Sequence, residues 1–186
     1  MNSFNERKFE VVSNCDPNKI IMPRRTTSCS AGYDICACVS ITIPSMWRAI
    51  SQINTPQDLI YKKDCLTHFV KPTLVPTGIK VRMPRDNMLL LYNRSSNPLK
   101  RGLVLANGVV VIDADYYNNP SNEGEIFGSF YNFGASDYTI HAGDVIMQGV
   151  FKDYLVTSDD NATGNRTGGF SSTDKQGYAK SALKKY

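Results

Sequence analysis

Apolar and polar residues alternate with a period of two along most of this chain. KFEVVS from Lys8, the run closing on GYDICACVSITI, TLVPTGIKVRMP from Thr73 and NMLLLYNRSS from Asn87 all read as strands. So do EIFGSFYNFG, DYTIHAG and DVIMQGVFKDYLV. Turn signals stand between them at Pro76, Thr77 and Gly78, at Pro84 to Asn87, at Asn107 and Gly108, and at Gly143 and Asp144. Strands about every ten residues with almost no helix predict an all-β fold, a barrel or sandwich of short antiparallel strands.

The period lapses twice. Between Pro44 and Lys71, Met46, Trp47, Ile50 and Ile53 recur at helical spacing, and Thr55 to Asp58 resembles a cap ahead of a second helical piece. This predicts a small helical insertion over residues 44–71, lying on the sheet with Trp47 as a packing residue. From Thr157 the chain turns to Gly, Ser, Thr and Asn with few apolar residues to dock it, which predicts a mobile tail. The expected organisation is one β domain over 1–156 and a C-terminal arm over 157–186.

Composition narrows the classes. A chain of 186 residues is long enough to bury its own core without disulfide or metal. Twenty-one Lys and Arg against seventeen Asp and Glu leave +4, too little and too dispersed to indicate nucleic-acid binding, though compatible with a small anionic ligand. There is no run of about 18 apolar residues and no apolar core of a signal peptide at the N-terminus, so the expected location is cytoplasmic, away from any membrane. Five cysteines without CxxC spacing, with His68 and His141 as the available histidines, fit reduced thiols better than disulfides or zinc. Cys36 and Cys38 are expected on one face of a strand, in the core.

Candidate chemistry is densest from Asn93 to Tyr117. Arg94, Ser95 and Ser96 put a cation beside two hydroxyls. Asn107 and Gly108 make a polar turn, Val109 to Ile112 an apolar strand, and Asp113, Asp115, Tyr116 and Tyr117 close it with carboxylates and phenols. The pattern fits a plain hairpin or a site built on one. Gly32, Tyr33 and Asp34 set another carboxylate at the mouth of a strand. Gln148 is expected on one face with Ile146 and Val150, an amide among apolar neighbours that needs a partner, because burying it unpaired costs about 1–3 kcal/mol. In the tail, Arg166, two glycines, Phe170, Ser171, Ser172 and Thr173 combine charge, wrapping backbone, hydroxyls and one flat ring. That set suits a phosphate attached to something planar, or a flexible linker.

Taken in order, AGYDICA, RSS with the following KRG, NGVVVIDADYY, GDVIMQ and RTGGFSST resemble the five ordered motifs of the trimeric deoxyuridine triphosphatase (dUTPase) family. The 19-residue step from Arg94 to Asp113 matches as well. The resemblance implies a β jelly roll in a homotrimer with shared active sites, and hydrolysis of dUTP to dUMP and pyrophosphate, with Mg2+ held mainly on the triphosphate. Such a reaction clears dUTP from the nucleotide pool and supplies dUMP for dTMP synthesis.

By the same resemblance Asp113 is the base that orients or deprotonates the attacking water, in a desolvated hairpin. Asn107 and the hairpin backbone, Val111 included, read the uracil edge, and Tyr116 lies under the deoxyribose and refuses a 2′-hydroxyl. Arg94, Ser95, Ser96 and Gln148 hold phosphates, and Asp34 meets the metal through water. The tail folds over bound substrate, with Phe170 on uracil and Arg166, Ser172 and Thr173 on phosphates. Four features depart from the family pattern: Arg166 stands one residue nearer Phe170 than usual, Ser171 and Asp174 stand where glycine is usual, NNPSNEG after Tyr117 is longer than usual, and Pro44 to Lys71 is an added piece. Two rivals share the fold. A dCTP deaminase needs a glutamate in a strand resembling LEFYN, where this chain has GSFYN with Ser129, and lacks the deaminase arginine, with Leu99 in its place. The other rival is a binding or regulatory protein with the insertion as its partner surface.

Overall fold

In the computed structural model, residues 6–51, 55, 71–166 and 168 are described. The expected alternation becomes strand wherever one face can be buried. In chain order the strands are β1 Lys8–Val11, β2 Tyr33–Cys36, β3 Ile41–Ile43, β4 Thr73–Pro76, β5 Ile79–Arg82 and β6 Asn87–Asn93. They continue with β7 Leu103–Leu105, β8 Val109–Asp113, β9 Phe127–Asn132, β10 Tyr138–Ile140 and β11 Val145–Asp153. Every pairing between these strands is antiparallel. A four-stranded sheet runs β2-β11-β6-β8 and a three-stranded one β4-β9-β7, with β1-β5 and β10-β3 as two-stranded flanks.

The core lies between the sheets. On β6, Leu89 and Leu91 are buried while Met88 and Leu90 are not, the period-two signature of a strand with one dry face. Ile35, Leu103, Phe130, Ile146 and Met147 join them at 0 % exposure. Each such side chain contributes roughly 1.5–3 kcal/mol of burial. Among the described residues Cys15, Cys29, Cys36 and Cys38 are free thiols, and no helix is long and apolar enough to cross a membrane.

Four expectations change. First, the strands flanking Asn107 do not form a hairpin: β7 pairs with β9 and β8 with β6, so the turn is an arch between two sheets. Gly108, at φ +68°, closes it by donating its N–H to the Leu105 carbonyl at 3.0 Å. Second, Gln148 is not among apolar neighbours. The β11–β2 register shifts between Val145 and Met147, so Ile146 and Met147 are both buried and Gln148 turns outward.

Third, among the described residues helix is confined to Met46–Ile50 (α1) and short turns, and Trp47 is 58 % exposed, its indole N–H donating to the Phe133 carbonyl at 3.1 Å. The second helical piece of the insertion falls on residues outside those described, Thr55 apart. Fourth, Cys38 lies beyond the end of β2 and is only half-buried, while Cys36 is buried. The alternation that would have placed them together ends with the strand.

Candidate functional site

The bulge on β11 builds the first cluster. Gln148 stands opposite Asp34 on β2 and Tyr92 on β6, so the ladder itself brings the amide to the carboxylate. Gln148 Nε2 donates to Asp34 Oδ1 at 3.1 Å, Thr26 Oγ1 donates to Asp34 Oδ2 at 3.0 Å, and Arg94 Nε lies 3.9 Å from Asp34 Oδ1. Gly32 permits the close fit, since a Cβ there would sit 3.3 Å from the Gln148 side chain.

Arg94 leaves β6 on a loop whose shape is fixed from beneath. Asn97, 0 % exposed, donates to Asn93 Oδ1 at 2.7 Å and to the Ile146 carbonyl at 2.8 Å, tying the loop to β6 and to the bulge at once. The π-helical turn Asn97–Arg101 then ends on Gly102 at φ +66°. Ser95 is exposed and Ser96 half-buried, so a cation, two hydroxyls and an outward amide share this corner. Donors of that kind suit phosphate oxygens.

The second cluster tips β8. Val109, Val111 and Asp113 share its exposed face, an apolar runway ending in a carboxylate, with Asn107 exposed at its start. Asp113 is half exposed rather than desolvated as expected, paired with Arg166 at the open tip of β8. Arg166 Nε donates to Asp115 Oδ1 at 2.8 Å, its Nη2 pairs with Asp113, and its guanidinium lies 5.7 Å from the centre of the Tyr116 ring. A cleft of about 840 Å³ opens here, lined by Arg82, Asp113, Asp115, Tyr117, Tyr154 and Arg166 among others.

Tyr116, on the 3-10 turn Ala114–Tyr116, is 8 % exposed. Its hydroxyl donates to the Glu125 carbonyl at 3.0 Å and accepts from Asn122 at 2.8 Å. Burial pushes this phenol up from its ordinary value, against the pull of the Asn122 hydrogen bond. Glu125 is also pushed up by burial, opposed by the N–H of Gly78, which donates to it at 3.0 Å.

The two clusters occupy opposite ends of one ladder. Asp113 pairs with Met88, whereas Val109 pairs with Tyr92, two residues short of Arg94. Six strand residues separate the level of Asp113 from Arg94, about 20 Å at the usual rise. Within one chain the structure therefore brings together Asp34, Arg94 and Gln148, and separately Asp113, Tyr116 and Arg166, but not the two sets. Phe170, Ser172 and Thr173 fall outside the described residues. Thr26, Asn97, Asn119 and Asn122 escaped the sequence reading: hydroxyls and amides in polar loops look alike until tertiary contacts select some of them.

Among the described residues no group of three or more His, Cys, Asp or Glu could hold a metal ion, and both oxygens of Asp34 already accept hydrogen bonds. The donor set fits a hard cation that arrives on a ligand's own oxygens and keeps its waters.

An antiparallel all-β chain with a phosphate-type corner and a carboxylate-tipped strand is a protein built to bind a phosphorylated ligand. Its family is the dUTPase family, to which the chain belongs: the dUTPase model matches residues 57–174. The deoxyuridine 5'-triphosphate nucleotidohydrolase of Lactococcus lactis is 40 % identical over 169 residues, 90 % of this chain and 97 % of the relative. That of Wolinella succinogenes is 30 % identical over 86 % of this chain and 89 % of its own. The crystal structure of dUTPase from Streptococcus mutans matches with a TM-score of 0.65 at 35 % identity, covering 81 % of this chain and 98 % of that one.

Proposed function

We propose that this chain hydrolyses dUTP to dUMP and pyrophosphate at sites shared between three copies of itself. One observation carries the reading: the phosphate-type corner and the carboxylate-tipped strand lie at opposite ends of the β6–β8 ladder, too far apart to close on one triphosphate within a chain. A site that needs both must take them from different copies, and a closed ring of identical chains supplies each site equally.

In such a site Asn107 and the exposed edge of β8 at Val111 receive the uracil, and the Tyr116 ring lies under the deoxyribose. Arg94, Ser95, Ser96 and Gln148 from a second copy hold the phosphates and meet the charge that develops on the leaving pyrophosphate. Asp113 accepts the proton of the water that attacks the α-phosphorus as the bond to pyrophosphate breaks. Mg2+, carried on the triphosphate, would neutralise its charge, with Asp34 reaching it through water. The arm from 157 onward closes over the substrate, Phe170 on the base and Arg166, Ser172 and Thr173 toward the phosphates. For this Arg166 exchanges its pairing with Asp113 and Asp115 for one with the ligand. Free thiols at Cys15, Cys29, Cys36 and Cys38 support a cytoplasmic setting.

Deamination of dCTP is disfavoured because Ser129, on β9 opposite Leu74, offers no carboxylate to move protons. The test is incubation of the purified protein with each deoxynucleoside triphosphate and Mg2+, with pyrophosphate and ammonia assayed together. Pyrophosphate from dUTP alone is expected. No turnover of dUTP, or ammonia from dCTP, rejects the reading.

A further inference from the structure

The lengthened loop after Tyr117 is a net of amides that closes on one hydroxyl. Asn119 is 4 % exposed; its Nδ2 donates to Asn122 Oδ1 at 2.6 Å and its Oδ1 accepts from the N–H and the hydroxyl of Ser121 at 3.0 and 2.6 Å. Asn122 Oδ1 accepts a second hydrogen bond from the Gly124 N–H at 3.1 Å. With two donors on its oxygen, the orientation of the Asn122 amide is settled, and its Nδ2 is the atom left facing the Tyr116 hydroxyl at 2.8 Å. That hydroxyl has one proton, given to the Glu125 carbonyl, and its oxygen accepts from Asn122, with the Asn119 amide acting on it more weakly.

The loop accepts unfavourable backbone to make this contact. Asn118 and Glu123 both sit at φ +57°, and Gly124 at φ +78° presses so close that a Cβ would meet the Tyr116 carbonyl. Lys80 anchors the outer side, donating to Asn118 Oδ1 at 2.6 Å and pairing with Glu123 at 3.1 Å. Left-handed positions in non-glycine residues persist where surrounding contacts over-determine them.

We propose that Asn122 is a positioning residue for sugar selection: it clamps the Tyr116 phenol so that the ring cannot swing aside to admit a 2′-hydroxyl. This rests on the reading of Tyr116 as the floor under the deoxyribose. Without the clamp the phenol is left with the Glu125 carbonyl and the weaker influence of the Asn119 amide, and UTP gains access.

Asn122→Asp keeps the acceptor for Asn119 and Gly124 but removes the donor to the phenol. In this variant the ratio of kcat/KM for dUTP over UTP should fall about tenfold, mainly through improved use of UTP, with Tm close to that of the parent. Tyr116→Phe should lower the ratio on its own, and adding Asn122→Asp to it should change nothing further. An unchanged ratio in Asn122→Asp, or an equal loss in the Tyr116→Phe background, overturns the proposal. The Cζ resonance of Tyr116 in protein carrying carbon-13-labelled tyrosine, assigned through Tyr116→Phe, gives a readout free of activity. It should shift in both Asn122→Asp and Asn122→Ala, and an unmoved signal overturns the clamp whatever the kinetics. Turnover of dUTP by the parent protein is measured alongside, so a failure of the site reading shows there and a failure of the clamp shows in the variants.

Discussion

Asp113 and Glu125 hold carboxylates in opposite settings, and each makes its own prediction. Asp113 ends β8 half exposed, paired with Arg166. Asp113→Asn keeps the shape and the hydrogen-bonding edge but not the basicity, so single-turnover kinetics should show dUTP binding within a few-fold of the parent and kcat lower by roughly 10³ or more. Normal turnover would assign the base elsewhere. Glu125 is held above its ordinary value, by burial first, so folding disfavours its charged form. A raised carboxylate favours folding at low pH, and that advantage is lost as pH rises from the unfolded value of about 4.3 through the folded one. Glu125→Gln retains an acceptor for the Gly78 N–H while removing the charge. Its Tm should exceed that of the parent by about 1–2 °C near pH 8, and the difference should vanish below about pH 4.

At the scale of elements, the bulge on β11 and the loop after β6 act as one piece, joined by Asn97. Gly102 ends that loop in a left-handed conformation, and a Cβ there would approach Gly134 N to 2.6 Å. Gly102→Ala should cost about 1–3 kcal/mol in chemical denaturation and raise KM for dUTP, because the strain relaxes into the loop carrying Arg94. The same elements show how much could be read beforehand. Period-two alternation placed the strands and turn chemistry separated them, since those signals come from local sterics and one-sided burial. The direction of Gln148 was illegible, because one extra residue in a ladder reverses every face beyond it and leaves no mark in composition. Likewise the arch at Asn107 looked like a hairpin: which sheet a strand joins depends on partners far along the chain, here Tyr92 of β6 opposite Val109 on one side and Phe130 of β9 opposite Leu105 on the other. The candidate residues were legible as chemistry, whereas their division into two distant clusters appeared only with the register.

For the whole molecule, that division makes a test by mixing. Chains carrying Asp113→Asn and chains carrying Arg94→Ala should each be nearly inactive, but dissociated and reassembled together they should regain about a quarter of the parent's activity, the fraction of sites that draw the sound half from each. No recovery would place both halves in one chain. Deleting residues from Gly164 onward should leave a folded assembly with little activity, checked by sedimentation and pyrophosphate release; full activity would make the arm a linker. The 20 Å between the halves of the site, set by the strand rise, has one more consequence. With the site shared between copies as proposed, a solitary copy lacks one half of it, so specific activity should drop as the protein is diluted below the concentration at which its copies stay associated. The amount of protein in solution thereby becomes a control on its own turnover, with no effector required.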